Sequence, residues 1–187
     1  QASIKRSEFV KILNKVFGLT TKSGKVFDDT VWHWAKDEID IAVTNGVCQG
    51  TSSTTFEPDA PITREAAAKM IANYKKISDT HHNKINGYND GSQTANWAIN
   101  EVEAILEAGY MNGYSDTNTF KPKNNITRAE AVVTLGRVIA NPNPVIPEPP
   151  VPTEPVTPPT TNPTPNPPTN SGENGLTNSS TVYVTPS

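Results

Sequence analysis

The chain has 187 residues, 16 of them basic and 19 acidic, and a formal net charge of −3. It carries no basic field that would hold nucleic acid or an anionic membrane by bulk charge, so any anion it binds must meet local, preorganised groups. The single cysteine, Cys48, excludes an intrachain disulfide, and its alignment with Met111 marks it as a buried apolar side chain.

In chain order, the first element is a helix opened by IKRSEFVKIL at residues 4–13, with Phe9, Val10, Ile12, Leu13 and Val16 on one face. A second helix is expected from about Trp34 to Thr44, with apolar positions three and four apart, Asp28 or Asp29 as N-cap and Gly46 as the left-handed residue that ends it. A turn-rich connection holds Gly50 and the pair Phe56-x-Pro58. ITREAAAKMI at 62–71 then opens a helix from Thr63 to about Lys75, whose run Ala66-Ala67-Ala68 permits close packing. The pattern returns as a helix from about Trp97 to Ala108, capped by Asn96 and ended by Gly109. Gly113 and Phe120-x-Pro122 follow, and then a helix from Thr127 to about Ala140. Strand signals are weak before residue 140, so the folded part is expected to be all-α.

The return is a repeat of about sixty residues. Trp34 aligns with Trp97, Ala35 with Ala98, Gly46 with Gly109, Gly50 with Gly113, Phe56 with Phe120 and Pro58 with Pro122. Arg6, Arg64 and Arg128 each follow an Ile by two positions and open an apolar helical run. The first copy holds only its last helix, so the chain reads as a fragment that begins within a repeat. Those arginines are oddly placed. Thr127 and Glu130 form a capping box, yet Arg128 sits between them in the first turn, where a cation costs roughly 0.3–1 kcal/mol. With free backbone N–H groups beside it, such an arginine makes a small anion site. The alternative is an ion pair with a neighbouring acid such as Asp29, Asp90 or Asp116.

Little else points to chemistry. His33, His81 and His82 lack metal-ligand spacing and read as surface histidines. No nucleophile stands with a base, no phosphate loop is present, and no catalytic residue, metal or cofactor is implied. No signal peptide or membrane-spanning run is visible.

Thirteen of the 17 prolines lie between Pro142 and Pro168, and no Lys or Arg follows Arg137. This Pro/Thr-rich tract cannot bury a core. It is expected to be an extended, mobile spacer reaching on the order of 80 Å in polyproline II, and dispensable for binding. The end, TNSSTVYVTPS, alternates Val and Tyr as the start of a β segment would.

The order Phe27-Asp28-Asp29, Trp34-Ala35, Gly46, Gly113-Tyr114-Ser115-Asp116, Phe120-Lys121-Pro122 and Ile126 to Glu130 resembles the S-layer homology (SLH) domain family. The resemblance covers the chain to about residue 140. It implies tandem helix-loop-helix repeats in a pseudo-threefold bundle, with the arginine helices central and an extended tail after them. The boundaries expected are 1–20 for the C-terminal helix of a truncated first repeat, 21–77 and 78–141 for the second and third, 142–172 for the linker, and 173–187 for an undetermined segment.

The function the resemblance implies is noncovalent anchoring of an exported protein to the wall of a Gram-positive-type bacterium. The partner would be secondary cell-wall polymer, a peptidoglycan-linked and often pyruvylated glycan, bound in grooves between repeats. The implied polymer-binding residues are Arg6, Asp29, Trp34, Gly50, Arg64, Asp90, Trp97, Gly113, Tyr114 and Arg128. For Trp34 and Trp97 the alternative is core packing. Two departures from the family pattern, Thr51 for tyrosine and Ala66 for the capping Glu, lead to the expectation that the middle unit binds less well. Two further readings stand beside the anchor. One is a structural S-layer subunit with S-layer neighbours. The other is the anchoring region of an exported glycan-degrading enzyme, catalytic outside this chain.

Overall fold

A computed structural model describes residues 2–144; the proline tract beyond it and the 173–187 segment, with the expectations attached to them, lie outside the described residues. Among the described residues there are six α-helices and no strands: α1 Arg6–Phe17, α2 Lys36–Thr44, α3 Arg64–Lys75, α4 Asn83–Asn86, α5 Ile99–Glu107 and α6 Arg128–Ala140. Short 3-10 turns at Asp28–Thr30 and Gly91–Gln93 precede α2 and α5.

The centre is a ring of three backbone straps, one before each arginine helix. Ile4 N–H donates to Ile126 C=O (3.1 Å), Ile62 N–H to Ile4 C=O (3.1 Å) and Ile126 N–H to Ile62 C=O (3.0 Å), closing a cycle. All three isoleucines are buried. A second tier repeats the symmetry: the N–H groups of Arg6, Arg64 and Arg128 donate to the carbonyls of Ala60, Asn124 and Ala2 at 2.9, 2.9 and 3.1 Å. The first turn of a helix leaves its N–H groups without intrahelical acceptors. Here the neighbouring strap supplies them, and this cyclic exchange is the pseudo-threefold bundle.

Each of α1 and α3 packs against the first helix of the next repeat, α1 on α2 and α3 on α5. A bundle with the arginine helices central implies that the apolar face of α1 packs against α3 and α6. Instead α2 is the main partner of α1, and Phe9, Val10 and Leu13 are fully buried. Contact with α6 is slighter, and the Phe17 ring stacks on Tyr74 at the end of α3 at 3.8 Å. Ala67 and Ala68 are fully buried, the small side chains that let α5 approach α3 closely. In α6 the matching positions are Ala131, fully buried, and Val132, 63% exposed; Val133 and Ile139 are likewise 52% and 59% exposed.

Gly46 and Gly109 adopt φ of +72° and +69°, as expected of helix-ending residues. The cap assignments to Asp28, Asp29 and Asn96 do not hold. The N-caps are Ala35 and Ala98, without side-chain bonds, because the preceding turns already bring carbonyl and imidazole acceptors to the first amides. Nor are the histidines plain surface residues. His33 Nδ1 accepts from Ala35 N–H, His81 lies 2.5 Å from Asp79, and His82 takes φ +56° ahead of α4, an element without a sequence signal.

One pair of acids stands within the otherwise apolar stripes of α2 and α5. Asp40, 4% exposed, accepts from the N–H groups of Ser23, Gly24 and Lys25 and from the hydroxyls of Ser23 and Thr44. Its counterpart Glu103, fully buried, accepts from Lys84 and Ile85 N–H at 2.7 and 2.8 Å. Each satisfies the backbone of the incoming segment. Burial alone would raise the Asp40 carboxyl, but the bonds from Gly24, Thr44, Ser23 and Lys25 outweigh it and hold it below its ordinary value. Its contribution is therefore full above the unfolded-state value of about 3.9 and is lost as pH falls through the lower folded-state value. Asp40→Asn is expected to lower the melting temperature at neutral pH, with the gap to wild type closing below about pH 4. Parallel melts across that range check it; a gap independent of pH would show that the charge is not what holds the loop.

Candidate functional site

Asp29 and Asp90 build the same device twice. Asp29 accepts from the N–H groups of Phe56 (3.0 Å) and Glu57 (2.7 Å), and Asp90 from those of Phe120 (2.7 Å) and Lys121 (2.8 Å). These bonds hold Glu57 and Lys121, the middle residues of the two Phe-x-Pro turns, at φ of +59° and +57°, a region side chains other than glycine seldom adopt. The other side of each turn is held by an arginine from the preceding repeat. Arg6 Nε donates to Phe56 C=O (3.0 Å) and Arg64 Nε to Phe120 C=O (2.9 Å), each guanidinium lying against the phenyl ring at 4.7 and 5.0 Å. The acids and arginines therefore do not pair directly. They grip the same peptide unit from its two ends.

Gly50 and Gly113 lie beneath these turns. A Cβ at Gly50 would come within 2.4–2.5 Å of Ser52 O, Thr55 O and the Phe27 ring, and one at Gly113 within 2.2 Å of the Tyr88 ring, so both are positions of close backbone approach. The tryptophans are not core. Ala35 and Ala98 beside them are fully buried, while Trp34 and Trp97 are 56% and 53% exposed. Lys11 Nζ sits 5.1 Å over the Trp34 ring. Trp32, given no role in the sequence reading and matched by Ala95 in the other repeat, is 96% exposed.

The three arginines differ in what their outer nitrogens meet. Arg64 is 4% exposed and fully committed: Nη1 lies 3.3 Å from Glu130, Nη2 donates to Asn112 C=O at 2.8 Å, and the Tyr114 ring covers it at 4.9 Å. Tyr114 hydroxyl in turn donates to Glu130, which also caps α6 through Thr127. Burial would raise the Glu130 carboxyl, but Tyr114, Thr127 and Arg64 together hold it below its ordinary value. Arg128 is the exposed one, its side chain 54% accessible and 2.8 Å from Glu8.

Arg6 is intermediate. Among the described residues its guanidinium has the Phe56 carbonyl and no ion pair, because Ala66 stands where Glu130 stands for Arg64, and Thr51 where Tyr114 stands. Burial without a paired carboxylate lowers its affinity for its proton. Its surroundings include a cavity of about 750 Å³ shared with Gln49, Thr51, Thr63, Ala66 and Trp97. Cys48 also lines it, its thiol pushed up to about 12 by burial and so inert as a nucleophile. The structure thus brings Arg6, Gly50 and Trp97 to one groove between the second and third repeats. Arg64, Asp90, Gly113 and Tyr114 form a separate, closed cluster, and Trp34 and Arg128 lie outside both. No group of His, Cys, Asp and Glu among the described residues is arranged to hold a metal ion.

The S-layer homology domain model matches residues 26–68 and 87–132. The cellulosome-anchoring protein of Acetivibrio thermocellus is 31% identical over 150 residues, 72% of this chain and 32% of that protein. The surface-layer 125 kDa protein of Lysinibacillus sphaericus is 28% identical over 143 residues, 74% of this chain and 12% of its own length. Endo-1,4-beta-xylanase A of Thermoanaerobacterium saccharolyticum is 31% identical over 109 residues, 58% of this chain and 9% of the enzyme. The chain therefore spans well under half of each relative. Two matched repeats, and similarity over this region to an anchoring protein, a surface-layer protein and a xylanase, make this chain a member of the S-layer homology domain family.

Proposed function

We propose that this chain is a noncovalent cell-wall anchor that binds an acidic, pyruvylated secondary cell-wall polymer in the groove between the second and third repeats, holding an exported protein at the surface of a Gram-positive-type bacterium. The observation that carries this reading is Arg6: a largely buried cation without a paired carboxylate, beside a groove wide enough for a sugar and walled by the half-exposed face of Trp97. A ketal carboxylate supplies the missing acceptor, and the sugar's C–H face lies on the indole. Asp29 and Gly50 contribute by fixing the turn and the backbone approach. Arg128 and Trp34 remain available to the same polymer at the surface. Relatives named as an anchoring protein and as a xylanase support a module that serves different cargo, and in an enzyme it would be the part that stays on the wall.

The chain is expected to be retained by purified walls that keep their polymer and to pass through walls stripped of it. Equal retention on both preparations would sink the proposal. A second reading, an S-layer subunit with lateral contacts, is favoured by the exposed Val132, Val133 and Ile139 of α6. Concentration-dependent sedimentation tests it, and a strictly monomeric chain excludes it.

A further inference from the structure

We infer that a lysine acts as a shutter on each of two tryptophans, and that the residue at position 14 or 72 sets it: Lys11 covers the Trp34 ring, while Lys69 is held off the Trp97 ring. This deepens the anchoring proposal and rests on it, because it decides which indole is open to a sugar. Three residue types recur at equivalent places where α1 meets α2 and where α3 meets α5. They are a lysine (Lys11, Lys69), a tryptophan (Trp34, Trp97) and a glutamate (Glu38, Glu101). A fourth place differs: Asn14 of α1 is matched by Ala72 of α3.

Asn14 is buried, and its Nδ2 donates to the Glu38 carbonyl at 2.8 Å and to Glu38 Oε2 at 2.9 Å. The Glu38 carboxylate is thereby committed to the asparagine. Lys11 has no carboxylate within ion-pair distance among the described residues, and its Nζ lies over the Trp34 ring at 5.1 Å. Ala72 offers no side-chain donor, so nothing competes for Glu101, whose Oε1 is 2.9 Å from Lys69 Nζ. Lys69 and Trp97 line the same cavity, yet among the described residues no cation lies over that indole.

An ammonium on an indole face is held by the ring's quadrupole, and weakly so where water reaches it. A sugar that stacks through its C–H face uses the same surface and must first displace the lysine. The contact that Trp34 offers is therefore conditional on Lys11 moving, whereas Trp97 is open before the ligand arrives. One side-chain amide sets two devices of the same composition in opposite states.

The test follows the indole N–H resonances of the intact chain, assigned with Trp32→Phe, Trp34→Phe and Trp97→Phe. The titrants are a neutral methyl hexopyranoside, which carries no acid for an arginine, and then purified wall polymer. Trp97 is expected to respond to the sugar at concentrations about 2–5-fold lower than Trp34, the ratio that an exposed cation–π contact is worth. Asn14→Ala, which copies Ala72 and frees Glu38 for Lys11, is expected to bring Trp34 into the range of Trp97. Lys11→Ala does the same by removing the cover. Glu101→Gln releases Lys69 and is expected to raise the Trp97 midpoint about 2–5-fold. Adding Lys69→Ala restores it, a rescue that a packing role for Glu101 would not allow. The Lys11 and Lys69 variants lie at partly exposed positions, so the test stands even if the buried Asn14 resists substitution.

Equal midpoints in the wild type, an unmoved Trp34 response in Lys11→Ala or in a folded Asn14→Ala, or a loss in Glu101→Gln that Lys69→Ala fails to restore would each overturn the inference. A static Trp97 in a chain that polymer-bearing walls retain also overturns it and leaves the anchoring proposal standing. The expected switching in a chain that walls with and without polymer retain equally would do the reverse.

Discussion

Arg64→Ala is expected to lower the stability of the domain by about 3 kcal/mol or more, and Arg128→Ala by less than about 1 kcal/mol, although the two residues hold the same place in the repeat. Removing the Arg64 side chain leaves the carbonyls of Phe120 and Asn112 without their donor, strips Glu130 of its ion pair, and empties the space between two aromatic rings. Each abandoned buried acceptor costs roughly 1–3 kcal/mol. Arg128 loses a half-exposed pair with Glu8, and its removal also relieves a cation from a helix N-terminus. Thermal melts of the two variants side by side are the measurement, with a separation of the order of 10 °C expected. Arg64→Lys recovers little, because an ammonium cannot serve three acceptors in a plane. If Arg64→Ala melted with Arg128→Ala, the grip on the Phe-x-Pro turn would not be what holds the repeats together.

Removing residues 1–20 is expected to abolish the cooperative transition, whereas ending the chain at residue 144 leaves it intact. The first deletion takes away Ile4, which both donates to and accepts from the ring, so a buried donor on Ile62 and an acceptor on Ile126 in turn lose their partners. It also removes Phe9, Val10 and Leu13, all fully buried. At about 1.5–3 kcal/mol for each such side chain, the loss is comparable with the whole stability of a domain of this size. The tail is cut at 144 rather than at the end of α6 because Tyr110 hydroxyl donates to Asn141 C=O at 2.6 Å and Lys75 to Pro142 C=O. Melts of the two truncations, with wall retention of the second, read the outcome. A normal transition without residues 1–20 would mean that the first helix is an appendage.

Apart from α4, the helices were legible because each announces itself locally. A threonine cap, an apolar stripe and a left-handed glycine placed α2, α3, α5 and α6 to within about two residues at each end. The repeat added what one copy could not, since Phe56-x-Pro58 means little until Phe120-x-Pro122 matches it. What stayed hidden was partnership. Asp29 looked like a helix cap because an acid before a helix usually is one, and Asp90 looked like an ion-pair partner for an arginine. Their real acceptor role lies with amides 27 and 30 residues further on, and no local pattern reports that. Asp40 and Glu103 were within reach, as acids repeated at one register in two apolar stripes. The different fates of Arg6, Arg64 and Arg128 depend on residues drawn from another repeat, so three near-identical motifs carry three different surroundings.

The closed ring of isoleucine straps also governs the order in which the chain can fold. The links from Ile4 to Ile62 and from Ile62 to Ile126 each close a loop of about one repeat, but the third joins segments at opposite ends of the described sequence. That contact, with the Arg128 to Ala2 bond beside it, is among the most distant in sequence of those described and returns nothing until the others exist, so its loop entropy is met last. The second and third repeats can meet early, through α3 on α5, while the strap at residues 2–5 waits for both of its neighbours to be in place. Once it docks, no strap can leave without breaking bonds to two others, which makes opening a concerted event. Under the anchoring proposal, slow concerted opening gives a kinetic protection at an exposed surface that the thermodynamic stability of the separate helices would not provide.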